Sequence, residues 1–231
     1  MIESIMSPRI GWKYSLLALA FATTCVSIFW MVFPFRETNV TDYVDAYRPA
    51  AMNLLAGRGL TVDGGELLVD YPPGYPLVLS AVFKAADLLL VSRQFALMVF
   101  TIASYGLSAL LVSALAADLW GRNAFVPVVV WLTYPPLLWL TTGPFSEIPF
   151  LFLFYLSVYV FNRASTRPEA WRYFLVSGVC AGSAALMRPI GLLIAVTLIG
   201  SVWMICRDTS KLRRLCLMGC ILLGGLAATI P

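Results

Sequence analysis

Seven apolar runs, each close to the length that crosses a bilayer, leave this chain very few folds. They cover residues 14–35, 95–119, 125–142, 149–161, 173–187, 190–206 and 215–230. A helix of about 20 residues spans the hydrocarbon core, and shorter runs cross where the bilayer thins or flanking side chains snorkel. Inside lipid the backbone must satisfy its own polar groups, which restricts spanning structures to helices and closed barrels. Of the 231 residues, 60% are hydrophobic and 12% charged, against roughly 25% charged in soluble domains. So much apolar surface cannot be hidden in one core. The sequence predicts an all-α integral membrane protein, a single transmembrane module over residues 1–231 with about seven spans. The first run is too long for a signal-peptide core and ends without a small-residue cleavage motif, so it reads as an uncleaved first helix.

The same composition narrows the chemistry. The chain has no histidine and five cysteines. Cys25, Cys180, Cys206, Cys216 and Cys220 all lie in or beside apolar runs without paired loop spacing. That pattern speaks against a disulfide framework and a zinc site. Proton transfer must therefore use carboxylates. The net charge of +4 is read through loop asymmetry, and no nucleic-acid partner is expected.

Cytoplasmic connections collect Lys and Arg. The short basic loops "NRASTRPEAWR" (162–172) and "RDTSKLRR" (207–214) are expected inside, as is the amino terminus with Arg9 and Lys13. Alternation then puts "MRPIG" (187–191) and "TGPFSEIP" (142–149) outside and "WGRN" (120–123) inside. The loop 36–74, with six acidic residues (Glu37, Asp42, Asp45, Asp63, Glu66, Asp70) against three Arg, is outside. Residues 75–119 must then cross an odd number of times and have room for one full span. Residues 75–91, interrupted by Lys84 and Asp87, are accordingly expected to lie along or dip into the outer interface. The carboxyl terminus is expected outside.

On that outer side four features stand out. "TDYVDAYRPAAMNLLAG" reads as an amphipathic helix with Asp42 at its N-cap or first turn, an apolar face of Ala46, Ala50 or Ala51, Leu54 and Leu55, and Gly57 as terminator. Asp42 and Asp45, three apart, share one surface. "YPPGYP" (71–76) reads as a stiff extended turn with Gly74 its one freely bending position, and tyrosines suit the membrane–water boundary. Glu147, in a short turn between apolar runs, needs water or a partner, or helps Ser146 cap the next helix. Arg188, wedged between two short runs, either serves the site or snorkels to headgroups. A pocket joining these features would suit a lipid-carried, phosphate-bearing substrate.

At these residues the sequence resembles the polytopic glycosyltransferases of the GT-C class that use lipid-phosphate sugars. The group includes protein O-mannosyltransferases and the aminoarabinose and related lipid A or lipopolysaccharide sugar transferases. "TDYVDAYRPAAMNLLAGRG", "YPPGYPLVLSAVF", "TTGPFSEIPF" and "SGVCAGSAALMRPIGLL" carry the resemblance, in the family's order. It implies a GT-C-like fold and inverting transfer from a polyprenyl-phosphate sugar at the extracytoplasmic face. It implies a catalytic carboxylate in the first outer loop, at Asp42 with Asp45 in reserve, and a second at Glu147. Tyr71, Pro73 and Tyr75 would wall the substrate pocket, and Arg58 or Arg188 would meet the phosphate. A divalent cation (Mg²⁺, Mn²⁺ or Ca²⁺) held by Asp42 and Glu147 is implied for some members. The setting expected is a bacterial inner membrane. Family enzymes continue beyond "GGLAATIP", which implies either a fragment or a reduced chain whose acceptor-binding part is absent or supplied by a partner membrane protein. A non-catalytic membrane subunit with the same ancestry is the alternative. A transporter is disfavoured, because charges sit at the ends of runs and no internal repeat is visible.

Overall fold

The computed structural model describes residues 12–62, 65–121, 124–166 and 171–229; Arg9, Asp63 and Arg122, used above for topology, lie outside these. Helix makes up 80% of the described residues, and among them no strand forms beyond one antiparallel bridge, Thr61–Leu67. The helices are α1 (Trp12–Val32), α2 (Arg48–Leu55), α3 (Gly74–Leu89), α4 (Arg93–Trp120), α5 (Phe125–Thr133), α6 (Pro135–Trp139), α7 (Glu147–Ser165), α8 (Trp171–Met187), α9 (Gly191–Ile205) and α10 (Lys211–Thr229). Each of the seven apolar runs falls on one of them, or on the α5–α6 pair. Among the described residues α4, α7 and α10 are long and apolar enough to cross a membrane; residues Leu17–Val32 of α1 and α9 form shorter apolar helices. The all-α membrane fold expected from the sequence is what the chain adopts.

The chain divides into two compact units, Met1–Pro149 and Phe150–Pro231. In the first, α1 packs along α4 and against α5 and α6. Its core joins Ala22 and Val26 to Tyr105, Ala109, Val128, Leu132, Leu138 and Ile148. Proline and turn chemistry divide the α5–α6 run: Tyr134 is extended (φ −67°, ψ 113°) ahead of Pro135 and Pro136, as a residue before proline prefers. Trp30 of α1 donates from Nε1 to the Thr141 carbonyl at 3.0 Å, anchoring the turn that precedes Glu147.

The second unit holds α8, α9, α10 and α7 from Phe150 onward, around Phe161, Phe174, Ala181, Ile194, Leu198, Val202, Leu217 and Ile221. Hydrophobicity does not drive helices together in lipid; close packing and hydrogen bonds do. Both are present. Buried Ser157 and Ser177 exchange hydroxyl-to-carbonyl bonds at 2.9 Å each, joining α7 to α8. Along the α8–α10 seam, a Cβ on Gly178 would lie 2.2 Å from the Ile221 carbonyl oxygen, and one on Gly224 2.2 Å from that of Leu175. Only glycine lets these two backbones approach so closely.

One local expectation is revised and another is narrowed. Gly74 is not a free bend: it is buried, and it opens α3. Pro73 is already in helical conformation (φ −75°, ψ −17°), so the second half of "YPPGYP" is the first turn of a helix. Pro76 fits there because first-turn N–H groups lack intrahelical partners anyway. Of the two positions open to Asp42, it takes the first turn and not the N-cap: it is helical (φ −55°, ψ −34°) and makes no side-chain cap bond. It belongs to a helix that begins at residue 41, passes through a π-type turn at Tyr43–Tyr47 and runs on as α2. Gly57 (φ +73°) follows its end, as the sequence predicts.

Candidate functional site

The π turn decides which way this helix presents its side chains. A turn with an i→i+5 bond accommodates one extra residue, and such turns are frequent at functional sites. Tyr43, Ala46 and Tyr47 are buried, while Asp42 and Asp45 are exposed. Further on, Ala50, Ala51 and Asn53 are buried. Asn53 donates from Nδ2 to the Thr61 carbonyl at 2.7 Å, which ties the end of α2 to the following loop. The helix thus lies with its aromatic and small face on α3 and both carboxylates outward.

The proline–tyrosine corner meets that aromatic face. Tyr47 packs edge-on against Tyr71 at 5.3 Å and against Tyr75 at 5.1 Å between ring centroids. The Tyr71 hydroxyl donates to Asp42 Oδ1 at 3.4 Å. The negative charge of Asp42 raises the Tyr71 pKa above its ordinary value, with desolvation and the hydrogen bond adding to it. Tyr75 is fully buried, and its hydroxyl donates to the Pro144 carbonyl at 2.7 Å. Burial pushes Tyr75 well above the usual tyrosine range, reinforced by nearby Tyr43, Glu147 and Tyr47. The Arg36 N–H also reaches this turn, bonding the Thr142 carbonyl at 2.8 Å. Asp42, the corner and the turn that carries Glu147 are therefore gathered in the first unit. Glu147 opens α7, half-buried, with the Ser146 hydroxyl 3.4 Å from its Oε2.

Three participants were not singled out in the sequence. Tyr43, buried, donates to Glu37 Oε2 at 3.1 Å, and Arg48 lies 3.8 Å from the same carboxylate. Burial, then Glu37, raise the Tyr43 pKa. Tyr43 and Tyr47, four apart, are both buried on the same side of their turn. Arg93 closes the assembly from the other end. It donates to both oxygens of Asp87 (3.1 and 2.9 Å) and to Met52 Sδ (2.8 Å), with its guanidinium 5.4 Å from the Phe83 ring. This clasp fastens α2 to the α3–α4 corner and holds Asp87 below the usual carboxylate range.

Pro73 is half-buried beside Tyr71, and Arg58 is exposed after the end of α2. Arg188 lies in the second unit, at the turn between α8 and α9, where its N–H bonds the Ala184 carbonyl at 3.0 Å. No three acidic or cysteine side chains converge among the described residues. A divalent cation would find at most two protein carboxylates together, and would need phosphate oxygens and water to fill its shell.

A family model described as dolichyl-phosphate-mannose-protein mannosyltransferase matches residues 70–231. The chain belongs to that family. No curated protein and no solved structure matches it. This mannosyltransferase family comprises membrane glycosyltransferases that take their sugar from a polyprenyl-phosphate carrier, in line with the GT-C resemblance carried by the sequence. Within the mannosyltransferase-family match lie the corner from Tyr71 to Pro76, Glu147 and Arg188. Asp42, Asp45 and Arg58 precede it; of the three, Asp42 is joined to it by the bond from Tyr71 just described.

Proposed function

We propose that the chain transfers a sugar from a polyprenyl-phosphate donor to an acceptor hydroxyl at the extracytoplasmic membrane face, with inversion at the anomeric carbon and Asp42 as general base. Asp42 takes the acceptor's proton as the acceptor oxygen bonds to the anomeric carbon. The carbon–oxygen bond to phosphate breaks on the opposite face, and the phosphate departs with the electron pair. It gains one negative charge in leaving, which a nearby cation offsets; Arg58, in the same unit as Asp42, is the candidate. Glu147 orients the acceptor, and Tyr71 and Tyr75 hold the wall on which the donor rests.

The observation that carries this reading is the hydrogen bond from Tyr71 to Asp42. It aims an exposed carboxylate at the aromatic corner that lies within the family match. A general base contributes about 10²–10⁴-fold to rate, so Asp42→Asn should lower transfer by that order while membrane insertion and donor binding persist. Transfer at the wild-type rate in that variant would refute the role. In the same assay, Arg58→Gln should raise KM for the lipid donor, and an unchanged KM would remove Arg58 from the phosphate.

A further inference from the structure

The connection from α9 to α10 concentrates positive charge that the fold leaves uncompensated. Arg207, Lys211, Arg213 and Arg214 fall close together, with Asp208 the only acid among them. Neither ion pair found among the described residues involves any of the four. Three of them occupy the first turn of α10, which contains no acidic residue. Cations there oppose the positive end of the helix dipole, so the arrangement is unfavourable until an anion arrives. The turn itself is well defined: the Thr209 N–H bonds the Cys206 carbonyl at 3.1 Å, and the Arg213 N–H bonds the Ser210 hydroxyl at 3.3 Å.

Arg214 adds an independent observation. Its guanidinium lies over the Trp203 ring at 4.6 Å, and its Nε is buried with no hydrogen-bond partner. A planar, partly buried guanidinium held on an aromatic face with one donor unmatched is suited to a phosphate oxygen. Trp203, Leu212 and Leu215 around it are exposed, an apolar border suited to acyl chains. A free inorganic anion would use the charge and leave that border bare.

We infer that this cluster is a binding site for an anionic phospholipid, its phosphate seated at the start of α10 among Lys211, Arg213 and Arg214 and its chains lying over Trp203 and Leu212. The site belongs wholly to the second unit and does not depend on the sugar-transfer reading. Basic pockets between membrane helices bind anionic headgroups in this manner.

The test is native mass spectrometry on the full chain in detergent, titrated with phosphatidylglycerol or with phosphatidylcholine of the same acyl chains. Wild-type protein should retain phosphatidylglycerol in preference to phosphatidylcholine, and inorganic phosphate should not displace it. Each surface cation contributes about fivefold, so Lys211→Gln with Arg213→Gln, both exposed and outside the packed core, should reduce the preference about tenfold or more. Arg214→Lys, which keeps the charge and loses the planar stack, should weaken it as well. The double variant Arg163→Gln, Arg172→Gln in the other basic loop should leave it intact. Equal retention of the two lipids, an unchanged preference in the Lys211 and Arg213 variant, or an equal loss in the Arg163 and Arg172 variant overturns the inference. Displacement by inorganic phosphate alone would reassign the site to a soluble anion and overturns it too.

Discussion

Tyr71 and Tyr75 stand four residues apart and carry opposite duties. Tyr75 is structural: its hydroxyl is buried and makes the one bond that fastens the corner to the Pro144 carbonyl. Tyr75→Phe leaves that carbonyl unsatisfied, which costs about 1–3 kcal/mol, and thermal unfolding in detergent should register the loss. Tyr71 reports on Asp42. Its pKa is raised in the folded state because ionising it would place a second negative charge beside that carboxylate. The corresponding stability is present below the ordinary tyrosine pKa and fades as pH rises through the elevated one. Asp42→Asn removes the main cause, so one tyrosine should ionise at lower pH than in the wild type when tyrosinate absorbance is followed. An unchanged alkaline titration would show that the two groups are not coupled. Asp42 and the tyrosines of the corner were visible in the sequence because carboxylates and aromatics beside apolar runs are costly to leave idle. Tyr43, Glu37 and Arg48 were not, because a hydrogen-bonded trio within a polar loop has no periodicity that sets it apart.

Among the elements, the helices follow closely from the apolar runs, while two ends do not. Gly74 and Pro76 were read as breakers; both are accommodated in the first turn of α3, where glycine is merely small and proline lacks nothing. α3 itself has 16 residues, about 24 Å of helix, short of the roughly 30 Å hydrocarbon core. It buries Tyr75, Leu79, Phe83 and Ala86 against its neighbours and carries Lys84 and Asp87, features suited to an interfacial position. The small-residue pattern of "SGVCAGSAAL" pointed to close helix contact; its partner, α10, could only be seen in three dimensions. That contact is testable with paired substitutions. Gly178→Ala forces a methyl into the Ile221 backbone and should cost about 1–3 kcal/mol, the usual range for overpacking. Gly219→Ala, on α10 with nothing within 4 Å of the added Cβ, should be neutral or stabilise by about 0.5–1 kcal/mol through helix propensity. The difference between the two melting temperatures isolates the seam.

For the molecule as a whole, membrane residence and family follow from apolar patterning and from motifs spread along the chain. Orientation follows from loop charge alone. A fusion reporter placed after Val91 should read extracytoplasmic and one placed at Thr209 cytoplasmic. A cytoplasmic reading after Val91 would make α3 a span, leave Asp42 outside and reverse the sides assigned to the loops that follow. The division into two units was not foreseen, because a continuous series of apolar runs carries no linker composition to mark it; the division falls inside the first turn of α7.

The wide turn at Tyr43–Tyr47 acts as a spacer between an anchored segment and a presented one. Each residue of an α-helix advances the azimuth by about 100°, so the surplus residue swivels Thr41 and Asp42 relative to the docked tyrosines by roughly that angle. Chains that keep the same residue types but shorten this segment by one would aim their carboxylate elsewhere. With Asp42 in the role proposed above, a one-residue deletion in this loop should lower transfer more than most side-chain exchanges there.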